Sequence, residues 1–301
     1  ITMKLYIQKT NVHGAWKWIN EGYRKAWINS GYDVQEYNDI LEVNTSEDYS
    51  LMAWEYDIKN RDAAVDIISQ AKKSFLYVQP NKFPAPWGNH PNWQCSVSDK
   101  HIKEINSFDN TVLWNFGDCK EEYFCDWKKV HSIPLAFDSI SYQPTLNDKY
   151  TFDVCFVGGW ADNGMNEKKN IMIKHFHEIK KLNVKCGFFI NKGISVQQEA
   201  NVLFNSKIAI NIHDAYTRKT GCNCNERNFK SLGLTGFMIS DKHEFLQSLF
   251  PDAPLAETPK EMAEMIVENI NKDLTDIKAQ NRQNIQDNHT YIKRIQQLLE
   301  L

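Results

Sequence analysis

Asn225-Glu226-Arg227-Asn228-Phe229-Lys230-Ser231-Leu232-Gly233-Leu234-Thr235-Gly236-Phe237-Met238-Ile239-Ser240-Asp241 reads as a polar loop, an amphipathic helix start, a glycine turn and a buried strand in quick succession. The unpaired N–H groups and positive dipole of such a helix start, with Arg227 beside it, suit a phosphate or diphosphate. The same order also describes an αβ unit of an α/β domain that holds no ligand. The flanking sequence decides between the two.

Upstream of that stretch the chain repeats one scheme. Phe152 to Val157 is an apolar run ending in Gly158-Gly159, and helical spacing follows from about Asn166 to Lys181. Val184 to Ile190 and Lys207 to Ile212 read as strands separated by a helix from Ser195 to Ser206. Downstream, His243 to Phe250 and Pro259 to Asn271 read as helices, and Leu274 to Leu299 as a polar terminal helix or helix pair. In the first half Lys4 to Ile7 is a strand and Trp16 to Tyr32 a helix. Strands at Asp33 to Tyr37, Ser50 to Ile58, Ser74 to Gln79, Asn110 to Phe116 and Val130 to Leu135 alternate with helices at Asp62 to Lys72, Ser98 to Phe108 and Glu121 to Lys129. Such alternation implies mainly parallel sheets covered on both faces. Pro134, Pro144 and Asn147-Asp148-Lys149 interrupt the pattern and place a hinge between two α/β halves. Two doubly wound sheets facing each other across a cleft would direct the carboxyl ends of their strands toward a shared ligand.

Composition agrees with a two-domain globular chain: 301 residues, 42% hydrophobic and 24% charged. A net charge of −3 excludes a broadly basic nucleic-acid protein while leaving room for a local basic groove. No apolar run approaches the roughly 20 residues that span a bilayer, and no signal-peptide pattern opens the chain, so a cytoplasmic location is expected. The seven scattered cysteines read as free thiols rather than a disulfide framework. Cys222-Asn223-Cys224 has one intervening residue and no second cluster, a poor zinc pattern.

Three segments together carry a resemblance. Ile133-Pro134-Leu135-Ala136-Phe137-Asp138 with Tyr142-Gln143-Pro144, then Asp153-Val154-Cys155-Phe156-Val157-Gly158-Gly159, then the stretch from Asn225 to Asp241, resemble the linker, first C-domain strand and nucleotide-site helix of the spore-maturation-like, family 4-like branch of GT-B glycosyltransferases. The resemblance implies a first domain over residues 3–138 that binds acceptor, a linker at 139–149, a nucleotide-sugar domain at 150–285, and a terminal helix at 286–301 returning to the first domain. It also implies transfer of a sugar from a UDP- or GDP-linked donor to a glycan, protein or small-molecule acceptor, with retention of configuration. Donor contacts are expected from Gly158, Gly159, Trp160, Lys168, Asn225, Arg227, Asn228 and Lys230. Glycines let backbone approach a diphosphate, and a guanidinium neutralises it as it leaves. Lys168 and Lys169 are further cations, with a solvated helix face as the alternative. No Asp-x-Asp motif occurs, so no metal and no cofactor beyond the donor substrate is expected. Lys230 departs from the pattern. Many relatives of the broader retaining class carry a glutamate there, and another acidic residue where this chain has Cys222.

Catalytic candidates lie where strands end. His13, in Asn11-Val12-His13-Gly14, reads as a base, an acceptor contact or a helix cap. His213 and Asp214 follow a strand and point to opposite faces, so they do not form a dyad with each other. Asp118 is an acceptor contact or an N-cap. The loop Pro80 to Trp93, with Trp87, His90 and Trp93, is either a sugar-stacking surface or a packed loop. Beside a transferase stand a transferase-fold protein that only binds nucleotide or glycan, which Lys230 favours, and a DNA-modifying glycosyltransferase, against which the charge argues.

Overall fold

The computed structural model describes residues 3–9, 15–89, 95–160 and 165–301. His13, His90 and Trp93 lie outside them. The chain divides into two compact units, Ile1–Pro134 with Tyr291–Leu301, and Leu135–Thr290.

The first unit carries strands β1 (Lys4–Gln8), β2 (Asp33–Tyr37), β3 (Ser50–Trp54), β4 (Lys73–Tyr77), β5 (Thr111–Asn115) and β6 (Val130–Ser132), all parallel in the order β2-β1-β3-β4-β5-β6. Between them run α1 (Ala15–Asn29), α2 (Glu55–Ile58), α3 (Asp62–Gln70) and α4 (Asp99–Ile105). The inner strands are buried on both faces and read as unbroken apolar runs, as in Leu51, Met52, Ala53 and Trp54. The strand expected to run to Ile58 stops at Trp54, because Asp57 accepts from the Trp54 N–H at 3.0 Å and turns the chain into α2. No helix forms over Glu121 to Lys129. Phe124 and Trp127 are drawn into the core, and Trp127 donates Nε1–H to Gln79 O at 3.2 Å, so tertiary packing overrides the local pattern.

The second unit carries β7 (Val154–Gly158), β8 (Cys186–Ile190), β9 (Ile208–Asn211), β10 (Met238–Asp241) and β11 (Leu255–Ala256), parallel in the order β11-β10-β9-β7-β8. Its helices are α5 (Lys168–Lys180), α6 (Val196–Asn205), α7 (Ala215–Thr220), α8 (Glu226–Lys230), α9 (Glu244–Leu249), α10 (Pro259–Ile270) and α11 (Thr275–Asn288). Capping fixes their starts. Ser195 accepts from Gln198 N, and Thr258 accepts from Glu261 N with Pro259 in the first turn. The helix read over Asn225 to Gly236 is five residues of α-helix followed by a π-helical turn at Ser231–Thr235, closed by Gly236 at φ +80°. Residues 139–149, expected as a linker, are held on α6: Tyr142 donates to Glu199 at 2.9 Å, and Thr145 N and Asn147 N donate to Asn201 and Asn205.

The terminal polar stretch breaks at His289 and Thr290 into α11, which lies on the π-helical turn, and α12 (Tyr291–Leu299), which lies on α1 in the first unit. Gly22 permits the α1–α12 approach, since a Cβ there would stand 2.4 Å from the Tyr291 ring. Arg294, fully buried, donates from Nε to Pro134 O at 2.8 Å.

Candidate functional site

The second unit's strand order places a switch point between β7 and β9. The connections leaving those strands go to opposite sides, which opens a crevice at their carboxyl ends. The ladder shows the opening. β7 and β9 pair only at Val154↔Ile208 and Cys155↔Ala209, so Phe156 to Gly158 and Ile210 to Asn211 part from one another.

Arg227 fills that gap. Its Nε donates to Val157 O at 2.9 Å and its Nη1 to Asn211 Oδ1 at 3.1 Å, one partner from each parting strand, and its guanidinium lies over the Phe156 ring at 4.5 Å. Gly158 is glycine for this reason: a Cβ there would stand 2.3 Å from Arg227 Nη2. The sequence reading gave that missing Cβ to an approaching diphosphate, and the structure gives it to the arginine. Gly159 sits beside Asn191, whose Oδ1 accepts from Trp160 N at 3.3 Å, and Lys169 lies over the Trp160 ring.

Lys168 opens α5 and is buried, with its ammonium donating to Ile212 O just past β9. Burial first, and then the charge of Arg227, push its pKa down to about 7. Burial likewise brings Arg227 down to about 10. Two mutually repelling cations thus stand at the switch point, and the hydrogen-bond partners described for both are neutral carbonyl and amide oxygens. Asn225 caps α8 and reaches Asn211 and Ile212 O at 3.4 Å. The dipole of so short a helix is small, and acidic Glu226 occupies its first turn, so the cation pair rather than the helix end suits the site to an anion.

His213 does not face solvent. It is fully buried, with Nδ1 2.7 Å from Asp241 Oδ1, Nε2 3.3 Å from Asn228 Nδ2, and its ring stacked on His243 at 4.4 Å. Arg218 closes the network with Nε 2.7 Å from Asp241 Oδ2. Burial opposes the Asp241 charge, but His213 and Arg218 outweigh it and hold that carboxyl well below the usual range. His213 therefore holds β9, β10 and α8 together; its acidic partner is Asp241, the last residue of the opening stretch. Asp214 caps α7, accepting from Thr217 N at 2.8 Å. Asn228 lies inside this network with its Oδ1 buried and unpaired.

Lys230 takes a different place from the donor contact expected of it. Its ammonium is buried 2.8 Å from Glu199 Oε1 and 3.9 Å from Glu226 Oε2, beneath the Tyr142 ring. Burial pulls its pKa down and the two glutamates more than restore it, leaving it raised. In the first unit Asp118 is exposed just beyond the carboxyl end of β5 and caps no helix. Trp87 is buried in the loop that begins at Pro80. Sequence reading passed over Glu55, buried at the end of β3, whose oxygens accept from Gln79 N at 2.6 Å and Ser96 Oγ at 3.1 Å and whose pKa burial raises. It also passed over Asn191, Asn211 and Arg218. A polar residue closing an apolar strand, as Asn211 does, was the available signal. Among the described residues no three His, Cys, Asp or Glu side chains cluster as a metal site, and no helix is long and apolar enough to cross a membrane.

This geometry has known counterparts. Over 99% of this chain and 100% of the other, the structure is similar to phage T4 BGT in complex with UDP and Mn2+, at 13% identity and a TM-score of 0.55. The chain has the GT-B fold. Other GT-B structures similar to it include the UDP-forming trehalose-phosphate synthase from Burkholderia vietnamiensis, at 9% identity over 86% of this chain and 72% of that one, TM-score 0.56. A further one is S. aureus TarM in a complex containing UDP, at 11% identity over 86% of this chain and 56% of that one, TM-score 0.56. At these identities the likeness is one of fold. Residues 154–300, beginning at the first strand of the second unit, match the family model described as glycosyl transferase-like. No curated protein matches the chain significantly.

Proposed function

We propose that this chain is a glycosyltransferase that takes a sugar from a nucleoside-diphosphate sugar and holds the diphosphate at the parting ends of β7 and β9 without a metal ion. The cation pair of Arg227 and Lys168 carries the reading. Two basic groups crowded together, with only neutral hydrogen-bond partners described and the carboxylates of Asp214, Asp241, Glu199 and Glu226 acting on them only through space, gain from a bound anion, which also favours the protonated form of Lys168. A diphosphate supplies that anion. When the bond from the sugar's anomeric carbon to the β-phosphate oxygen breaks, the electron pair stays on that oxygen, and fixed cations stabilise it more than they stabilise the intact donor. Asn211 and Val157 O keep Arg227 from collapsing onto a carboxylate, and the His213–Asp241 pair fixes the strand ends that carry Asn211.

UDP, named in the complexes of T4 BGT and TarM, is the first nucleotide to test, and UDP-glucose, the substrate named for T4 BGT, the first donor. The finer assignment, to the spore-maturation-like branch with retention of configuration, rests on the resemblance carried by residues 133–138 with 142–144, 153–159 and 225–241 together. Titration calorimetry with UDP tests the site. Arg227→Ala is expected to weaken binding by roughly 1.5 to 3 kcal/mol, and EDTA to leave it unchanged. Unaltered affinity in the variant, or binding abolished by EDTA, overturns the site as drawn. Release of nucleoside diphosphate from a panel of nucleotide sugars tests catalysis. Binding without turnover of any donor, with a broad mixture of acceptors present, selects the non-catalytic reading. Lys230 favours that second reading, because it stands where many relatives of the broader retaining class carry a glutamate, and its ammonium is turned to Glu199.

A further inference from the structure

The first unit carries a cavity of about 380 Å³ at the amino-terminal end of its sheet, where β4, β5 and β6 begin, at the opposite end of β5 from Asp118. Lys72, Lys73, Lys128, Lys129 and His131 line it, with Lys72, Lys128 and Lys129 exposed, Asp109 as its one acidic side chain, and Leu301 also on the lining. In a chain of net charge −3 this concentration of cations is local, not a general surface excess.

Two asparagines build its walls. Asn110 donates from Nδ2 to Ile68 O, Ser69 O and Ala71 O at 3.1, 3.1 and 2.6 Å, pinning the turn that presents Lys72 and Lys73. Asn106 donates to Asp126 O at 2.8 Å and accepts from Lys128 N at 2.9 Å, pinning the turn that presents Lys128 and Lys129. The lysines are thus carried on two fixed backbone segments. Lys72 is paired with Asp48 at 2.6 Å, an exposed contact that a stronger anion displaces at little cost. Lys73 lies over the Phe75 ring, and among the described residues no ion pair to a carboxylate is seen for Lys73, Lys128 or Lys129. His131 is held low by burial and then by Lys129.

We propose that this cavity is a second anion site, separate from the one at Arg227, and that it takes a compact small molecule bearing three or more phosphate groups. Its volume suits a small molecule rather than a polymer track, and its cations converge from two walls. Several lysine point charges match several phosphate oxygens without demanding the planar geometry of arginine.

Sodium tripolyphosphate is the probe. In calorimetry at low ionic strength, Arg227→Ala protein should still show one saturable site for it. Lys128→Gln combined with Lys129→Gln should weaken that site about a hundredfold, at about tenfold for each charge removed, and leave UDP binding as in the unaltered protein. Acetylation of the unaltered protein, read residue by residue in mass spectrometry, should show Lys73, Lys128 and Lys129 protected by tripolyphosphate and not by UDP. Heat that never saturates, a site lost with Arg227→Ala and kept in the lysine variant, or lysines acetylated equally with and without the probe would overturn the proposal. Loss of UDP binding in Arg227→Ala alone bears on the donor site and leaves this one standing.

Discussion

Gly158→Ala is the sharpest test of how the second unit builds its site. The new methyl carbon would stand 2.3 Å from Arg227 Nη2 and 2.9 Å from both Cζ and Nε, and no other residue is among its three nearest neighbours. The guanidinium cannot yield cheaply, since Val157 O, Asn211 and the Phe156 ring fix it. Overpacking of this kind costs about 1 to 3 kcal/mol. With Arg227 truncated to alanine the clash vanishes. Gly158 does not lie in the left-handed region, so the same change should then be neutral or stabilise by about 0.4 to 1 kcal/mol through the unfolded chain. Urea denaturation of the four proteins in the cycle should therefore give a coupling of about 1 to 4 kcal/mol, with Gly158→Ala destabilising beside Arg227 and neutral or stabilising without it. UDP affinity should fall in Gly158→Ala toward that of Arg227→Ala, and the double variant should bind no worse than the weaker single one. Equal costs of Gly158→Ala in both backgrounds would refute the argument that the glycine exists for the arginine.

Lys168 makes a pH prediction. Its pKa falls from an ordinary 10.5 to about 7 on folding, so between those values the unfolded chain binds more protons and stability rises with pH, by up to about 1.4 kcal/mol per unit. Lys168→Met lacks this slope: it should be more stable than the unaltered protein near pH 6.5, with the gap closing toward pH 9, whereas a gap independent of pH contradicts a buried amine. Lys230→Ala should destabilise by roughly 3 to 5 kcal/mol, because it strands Glu199 and Glu226 in the interior, and Glu199→Gln in the same chain should recover part of the loss. A Lys230→Ala protein that melts with the unaltered one but no longer binds UDP would return Lys230 to the donor site.

Periodicity carried the architecture because β7 and β9 are apolar runs closed by Gly158 and Asn211, and the longer helices α5, α6 and α10 keep their spacing. It failed where tertiary demands outweighed local preference. Phe124 and Trp127 left a helical pattern for the core, and Asp57 ended a strand by capturing its last N–H. α7 and β11 are too short to show a period at all. The expected donor residues are distributed unevenly in the structure for a related reason. Gly158, Lys168, Asn225 and Arg227 are brought together because all four belong to segments that meet at one switch point, and strand order follows from the αβ rhythm.

Partners that cross from other elements stay hidden in a single sequence. Lys230 could be weighed only against its neighbours on α8, while the carboxylate that claims it comes from α6, thirty-one positions earlier. His213 was weighed against Asp214 for the same reason, and its partner stands on the next strand, twenty-eight positions on. A parallel strand pair sets that separation: residues level with each other at two carboxyl ends are apart in sequence by a whole helical connection. A histidine closing one strand and an acid closing the next are thus the pair to test first, and adjacent residues the last, because adjacency on a strand sends side chains to opposite faces. By that rule Asn211, the polar end of the strand beside Gly158, belongs with Gly158 and with Arg227 of α8, so that the arrangement proposed to hold an anion is built from two strand ends and one helix start.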